Sequence, residues 1–300
     1  MKRKLRIWLF KDGKLGHEKQ TLGLIQALKE FFDVDTTTYQ TSTSTYKKIK
    51  RLLCATSQKA KKPDLILGAG HQTHIPMLAA RLKTRTRIVV LMKPSLPKSW
   101  FDLVVVPKHD NIQPHSGIFI TNGAITDQRL STCQQINRGL VLLGGPSKHY
   151  EWNTISITDQ IKTIATGGKD IVWTVTNSRR TPNTTLPAIA SLCLSNVSVK
   201  DHKNTGANWL QHTLAKSATV WVSEDSISMI YESLSSGAKI GLLSVPRTTH
   251  NKLSKNIDQL IDDGWLTAYS AWCDGAPLTT APEPLDEARR LAEWMNDSWL

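Results

Sequence analysis

Apolar residues fall along the chain in two alternating patterns. Continuous runs rich in β-branched residues occupy Ile7–Phe10, Asp64–Gly68, Ile88–Met92, Leu103–Val106 and Ile118–Thr121. A second series occupies Leu140–Leu143, Ile171–Thr176, Val197–Lys200, Thr219–Val222 and Lys239–Leu243. Such runs are what parallel strands show when helices cover both faces of their sheet. Between them apolar residues recur three or four apart, the helical period. Glu18–Phe32 carries Leu22, Ile25, Leu28 and Phe32 in this way, and Ile75–Leu82, Thr154–Ala165, Leu186–Leu194, Gly206–Ala215, Ser226–Ser235 and Asn251–Ile261 follow. Thr36–Thr45, rich in Thr and Ser, reads as a loop. Two successive β-α series predict an α/β protein of two doubly wound domains, with a boundary near Arg138. A last helix, Leu285–Trp299, sets Ala288, Leu291, Ala292, Met295 and Trp299 along one side.

Composition narrows this little. With 300 residues, 40% apolar and 21% charged, the chain has globular values and too much length for one ordinary core. The longest candidate membrane span, Ile88–Val106, is interrupted by Lys93, Pro94 and Lys98. The first residues read as a basic start followed by a strand, because Arg6 interrupts Leu5–Phe10, rather than as an export signal. Cys54, Cys133, Cys193 and Cys273 form no CxxC pair, which argues against a zinc site or a disulfide scaffold and for a reducing cytoplasm.

Charge changes the picture more. Residues 1–140 carry 24 Lys and Arg against 9 Asp and Glu, while residues 141–300 carry 14 against 16. The first half is therefore suited to an anionic partner. The densest basic run, residues 45–63, holds seven Lys and Arg and no acid, with Tyr46, Ile49, Leu53 and Ala60 near one helical face. It reads either as a solvated surface helix or as a helix lying on an anionic membrane. Nucleic acid is not expected, since aromatics do not interleave the charges.

In doubly wound folds ligands bind beyond the carboxyl ends of the strands, so the exit loops hold the candidate chemistry. The first, KDGKLGHEKQ, supplies Asp12, Gly13, Gly16 and His17 at the start of a helix, a place for an anion or a general base. The next, GAGHQTHIP, supplies His71 and His74, a poor metal pair without a nearby Cys or carboxylate but a possible lining for an acceptor. His109 adjoins Asp110 at another strand exit. In the second half, GGPSKHYEW offers Gly144, Gly145, Ser147 and Lys148 to a phosphate, although it is not a P-loop. TNSRRTP offers Thr176, Ser178, Arg179 and Arg180, whose guanidinium forks match phosphate oxygens. SEDSISMIYE opens a helix with Ser226 and Ser228 and places Glu232 where a carboxylate can reach a ribose. Each has a plainer reading: a packed histidine, a turn cap, a simple turn, surface ion pairs, an ordinary capped helix.

Taken in this order, DGKLGHEKQTLGL, PDLILGAGHQTHIP, FDLVVVPKHDN, LLGGPSKHYEW, TNSRRTP and SEDSISMIYE resemble the bacterial members of the mitochondrial-fission-protein family, over nearly the whole chain. The resemblance implies a GT-B-like α/β fold: two Rossmann-like doubly wound domains facing a cleft, the C-terminal helix packing back on the N-terminal domain. Residues 1–138 would form the acceptor side, 139–284 the nucleotide-sugar donor domain and 285–300 the crossover helix. The implied activity is metal-independent glycosyl transfer from a nucleotide-diphosphate sugar, with no cofactor beyond that co-substrate. The phosphate-suited residues above would hold the diphosphate and Glu232 the ribose. His17, or failing it Asp12, would take the acceptor proton, with Gly16, His71, His74 and His109 on the acceptor side. The expected acceptor is an anionic glycolipid or lipopolysaccharide-type sugar at the inner face of the membrane. The protein is expected to be cytoplasmic and peripheral there, through residues 45–63. One departure is Lys93, which precedes the proline of MKPSLP where the family usually has an acid; it implies a different acceptor or reduced activity. Two rival readings remain, a non-catalytic membrane adaptor that kept the fold and a sugar-nucleotide epimerase.

Overall fold

The computed structural model describes residues 2–41, 61–110, 112–113, 115–249 and 252–300. The basic run expected to form a helix lies mostly outside these residues. By its internal contacts the chain divides into one unit of Met1–Asp127 with Asp286–Leu300 and a second of Gln128–Leu285.

The first unit is built on six parallel strands, β1 (Arg3–Lys11), β2 (Phe32–Gln40), β3 (Leu65–Ala69), β4 (Ile88–Leu91), β5 (Leu103–Pro107) and β6 (Ile118–Thr121), in the order β2-β1-β3-β4-β5-β6. Side chains alternate across a strand, and along β1 this alternation divides the core. Leu5, Ile7 and Leu9 enter a cluster with Leu24 and Leu28 of α1 (Leu15–Phe31), whereas Trp8 and Phe10 enter another with Met77 and Ala80 of α2 (His71–Thr84). Both faces are covered, which is why the strand runs are apolar throughout. The terminal helix α9 (Glu287–Trp294), capped by Asp286 accepting from the Arg289 amide, belongs to this unit. It buries Ala288, Leu291 and Ala292 in the α1 cluster, and a wide turn over Met295–Trp299 follows it.

Strand β2 corrects the sequence reading. Residues 36–40, expected in a loop, continue a strand into which α1 runs directly. As an edge strand β2 pairs only with β1 and leaves most of its polar side chains exposed, so it lacks the buried apolar run that marks its neighbours.

The second unit has β7 (Gln135–Leu142), β8 (Val172–Thr176), β9 (Val197–Lys200), β10 (Ser217–Ser223), β11 (Lys239–Leu243) and β12 (Thr267–Ala268), all parallel, in the order β12-β11-β10-β7-β8-β9. Helices α3 (Thr154–Gly167), α4 (Thr185–Ala190), α5 (Trp209–Lys216), α6 (Ile227–Ser235) and α7 (Lys252–Asp262) connect them, and α8 (Tyr269–Cys273) follows β12. Arg138, the expected boundary, lies inside β7, whose first four residues are exposed and therefore carry no apolar signal.

Each sheet has one switch point, where the connections leave in opposite directions: between β1 and β3 in the first unit, and between β7 and β10 in the second. Ligands of open α/β sheets bind beyond the strand ends at such points.

Candidate functional site

At the switch point of the first unit, β1 ends at Lys11 and Gly13 turns the chain in the left-handed region before α1 begins. Asp12 is held on both oxygens: Oδ1 accepts the Lys14 amide at 3.1 Å, and Oδ2 lies 2.8 Å from Nδ1 of His17. The Asp12 side chain is fully buried, while His17 keeps 19% of its side chain exposed. An ionised carboxylate only accepts, so this contact places the ring proton on Nδ1 and leaves the Nε2 lone pair available. Gly70, with φ +84°, brings the β3 exit loop against this pair. A Cβ at Gly70 would stand 2.6 Å from Cε1 of His17 and 2.7 Å from Oδ2 of Asp12, so only glycine fits. The sequence reading selected Asp12 and His17, and the structure joins them. Gly70 stands in the sequence reading only as a letter of the strand-exit motif GAGHQTHIP, because nothing in the sequence shows that β3 lies beside β1.

The other first-unit candidates separate. Gly16 is exposed, and a Cβ there would meet open space. His71 is exposed at the start of α2. His74 is 2% exposed, lies 3.3 Å from the Ser95 hydroxyl and packs edge-on against Phe101. Desolvation, followed by the charge of His71, lowers its pKa to about 4, so it is a neutral core residue at ordinary pH. Lys93 is exposed. The side chain of His109 lies outside the described residues.

In the second unit the exit loops of β7, β8 and β10 interlock. The Gly144 amide donates to the Ser223 hydroxyl at 2.7 Å, and the Gly145 amide donates to Oδ2 of Asp225 at 2.9 Å. A Cβ on Gly144 would overlap the Asp225 carboxylate, and one on Gly145 would overlap the Arg180 carbonyl. Ser178 Oγ donates to the Gly144 carbonyl at 2.8 Å. Arg180 is committed to this lock: Nη2 contacts Asp225 at 2.7 Å and Nη1 donates to the carbonyls of Gly145 and Pro146. Arg179 is exposed and has no partner among the described residues. The two arginines, equivalent in sequence, thus divide into one that braces the loops and one that faces solvent.

Ser147 and Lys148 are exposed, while Thr176 is 4% exposed and gives its carbonyl to the Leu143 amide. Ser226 occupies the N-cap position of α6, Ser228 is exposed in its first turn, and Glu232 is 6% exposed further along it.

The sequence reading missed an acidic cluster beside these loops. Desolvation raises the pKa of Asp225 against the opposing pull of Ser223, Gly145 and Arg180, and its Oδ1 is buried without a hydrogen-bond partner. Glu224 accepts the Val245 amide and both Nε and Nη2 of Arg247, whose Nη1 reaches Asp258 at 2.7 Å. Tyr150, buried nearby, is pushed up to about 12 by desolvation and then by the Glu224 charge. A cavity of about 370 Å³ opens beyond β10, β11 and β12, lined among others by Glu224, Pro246, Arg247 and Tyr269. Glu224, Asp225 and Tyr150 lie inside motifs already singled out, but Arg247 and Asp258 come from distant segments, so the sequence did not show that they meet.

Among the described residues no group of three or more His, Cys, Asp or Glu side chains is arranged to hold a metal ion. Asp33 and Asp35, an Asp-x-Asp pair, are exposed on the edge strand β2, where Asp35 faces Lys4 at 3.7 Å.

Two wholly parallel Rossmann-like units, each with one switch point, define a class of fold shared by sugar-nucleotide epimerases and GT-B glycosyltransferases. A UDP-GlcNAc 2-epimerase from Methanocaldococcus jannaschii matches with a TM-score of 0.59 at 10% identity, covering 97% of this chain and 99% of its own. A glycosyltransferase from Rickettsia africae matches at 0.54 and 10% identity, covering 98% and 93%. At such identities the likeness concerns the fold. An uncharacterized protein of Rickettsia prowazekii is 23% identical, covering 96% of this chain and 97% of its own. The mitochondrial fission ELM1 profile matches residues 15–299, and the chain belongs to that family.

Proposed function

We propose that the protein is a metal-independent glycosyltransferase using a nucleotide-diphosphate sugar. Its proposed acceptor is an anionic, membrane-associated glycolipid or lipopolysaccharide-type sugar. The observation that carries this reading is the Asp12–His17 pair, a preorganised base at the switch point of one sheet, in a chain whose other sheet ends in phosphate-suited loops. The acceptor hydroxyl gives its proton to Nε2 of His17 as its oxygen attacks the anomeric carbon. The bond from that carbon to the donor's diphosphate oxygen breaks, and the electron pair leaves with the diphosphate. Asp12 orients the ring and offsets the imidazolium charge. Arg179 and the free amides opening α6, beside Ser226 and Ser228, take up the leaving charge without a metal. The cavity beside Tyr269 receives the nucleoside; Glu232, expected from the sequence as the ribose partner, is buried in α6 and does not line it.

The neighbours that are epimerases support a second reading, rearrangement of the donor itself without an acceptor. A thermal-shift panel of UDP-, GDP-, ADP- and CMP-sugars tests the donor site. Saturation at a hundredfold excess over Kd stabilises the native state by about 2.7 kcal/mol. One base should raise the melting temperature in the parent and lose most of that effect in Arg179→Ala. Incubation with the donor alone then separates the readings: a transferase leaves the sugar configuration unchanged, and an epimerase alters it. No shift with any nucleotide, in folded protein, sinks both and favours a non-catalytic adaptor.

A further inference from the structure

The first unit has a charged cavity at the edge of its sheet opposite to the Asp12–His17 pair. It measures about 440 Å³ and lies at the amino ends of β1, β3 and β4, lined by Arg3, Lys4, Arg6, Lys62, Arg85 and Arg87. Five residues of β1, 7–11, separate Arg6 on its lining from Asp12, about 20 Å at the usual rise per strand residue. It is therefore distinct from the site at the switch point.

Among the described residues Asp64 is its one acidic side chain, and Arg6 grips it through Nε at 3.1 Å and Nη2 at 3.2 Å. Lys4 approaches Asp35 at 3.7 Å. The other four cations make no ion-pair contact with a carboxylate among the described residues, although Arg3 acts on Asp64 at longer range and, against desolvation, helps to lower its pKa. Arg3 lies over the Phe32 ring at 5.1 Å and Arg87 over the Trp299 ring at 4.7 Å, contacts that hold a guanidinium in place without neutralising it. The carboxyl ends of α1 and α2 lie at this edge and contribute about half a negative charge each, well short of four cations. Arg85 adopts φ 53° at the C-cap of α2, a left-handed position where glycine is the easy residue, so the chain places a guanidinium there against a backbone preference. No aromatic side chain lines the cavity among the described residues, which leaves a nucleobase nothing to stack on.

We propose that this cavity binds a multiply charged phosphate group of about diphosphate size. Guanidinium forks fixed by ring contacts suit phosphate oxygens, and the volume falls within the range of ordinary small-ligand sites, roughly 300–1,000 Å³. A soluble phosphate ester and the headgroup of an acidic phospholipid carry the same chemistry.

The test uses the full chain at low ionic strength, with inorganic pyrophosphate in titration calorimetry and phosphatidylcholine vesicles with or without phosphatidate in flotation. The variant is Lys62→Ala with Arg85→Gly. Glycine suits the Arg85 backbone, so the variant should melt no lower than the parent. Binding in the parent should weaken about tenfold or more in the variant, the loss expected when charge-assisted contacts are removed. Pyrophosphate binding alone identifies a soluble phosphate ligand, and phosphatidate-dependent flotation lost in the variant identifies a headgroup. Absence of both, or binding equally strong in parent and variant, overturns the proposal.

Discussion

His71 and His74 show what one residue's surroundings decide. Three positions apart at the start of α2, they look alike in sequence, yet one is exposed and the other is 2% exposed against Phe101. Burial lowers the pKa of His74 to about 4, against about 6.5 in an unfolded chain. As pH falls the unfolded chain takes up this proton first, so the stability tied to neutral His74 is complete above pH 6.5 and drains away toward pH 4. Between pH 7.5 and 5 the loss is about 2 kcal/mol. Urea unfolding of the parent should show it, and His74→Gln should flatten that part of the profile. Equal acid slopes in the two proteins would count against the assignment. Arg179 and Arg180 teach the same lesson. Adjacent arginines at a strand exit signalled phosphate, but only the packed loops show that Arg180 is spent on Asp225 and on backbone carbonyls.

Among the elements, the buried strands were the most legible. β3, β4 and β5 are covered on both faces, so nearly all of their residues are apolar and their bounds follow the hydropathy closely. β2 and the first half of β7 were not legible, because exposed strand residues carry no apolar run. The two-residue β12 is shorter than any pattern can show. The loops at the second switch point were legible one by one as phosphate-suited, but not as a lock. Their tightest point is Gly145, where a side chain would overlap the Arg180 carbonyl. Gly145→Ala should therefore part the β7 and β8 exit loops, release Arg180 from Asp225 and lower stability by about 2 kcal/mol, as overpacking commonly does. Chemical denaturation checks it; a loss within error would mean that the loops yield freely.

At the scale of the whole molecule, the chain builds two sheets of the same design. Each is parallel, each has one switch point, and each carries different chemistry there: a histidine–carboxylate pair in the first unit, and interlocked loops beside a helix N-terminus and a cavity in the second. Fold and family were readable from the alternating pattern and the loop motifs, since both are written in local sequence. The union of Gly70 with Asp12 and His17, and of Arg247 with Glu224, depends on strand order, which local sequence does not contain. The most direct test measures donor affinity and sugar transfer together in two variants, once the donor base is known. His17→Ala should bind the nucleotide sugar about as well as the parent while transfer falls roughly 10²–10⁴-fold, the usual contribution of a general base. Arg179→Ala should lose donor affinity. Transfer undiminished in His17→Ala, or donor affinity undiminished in Arg179→Ala, would contradict the division of roles.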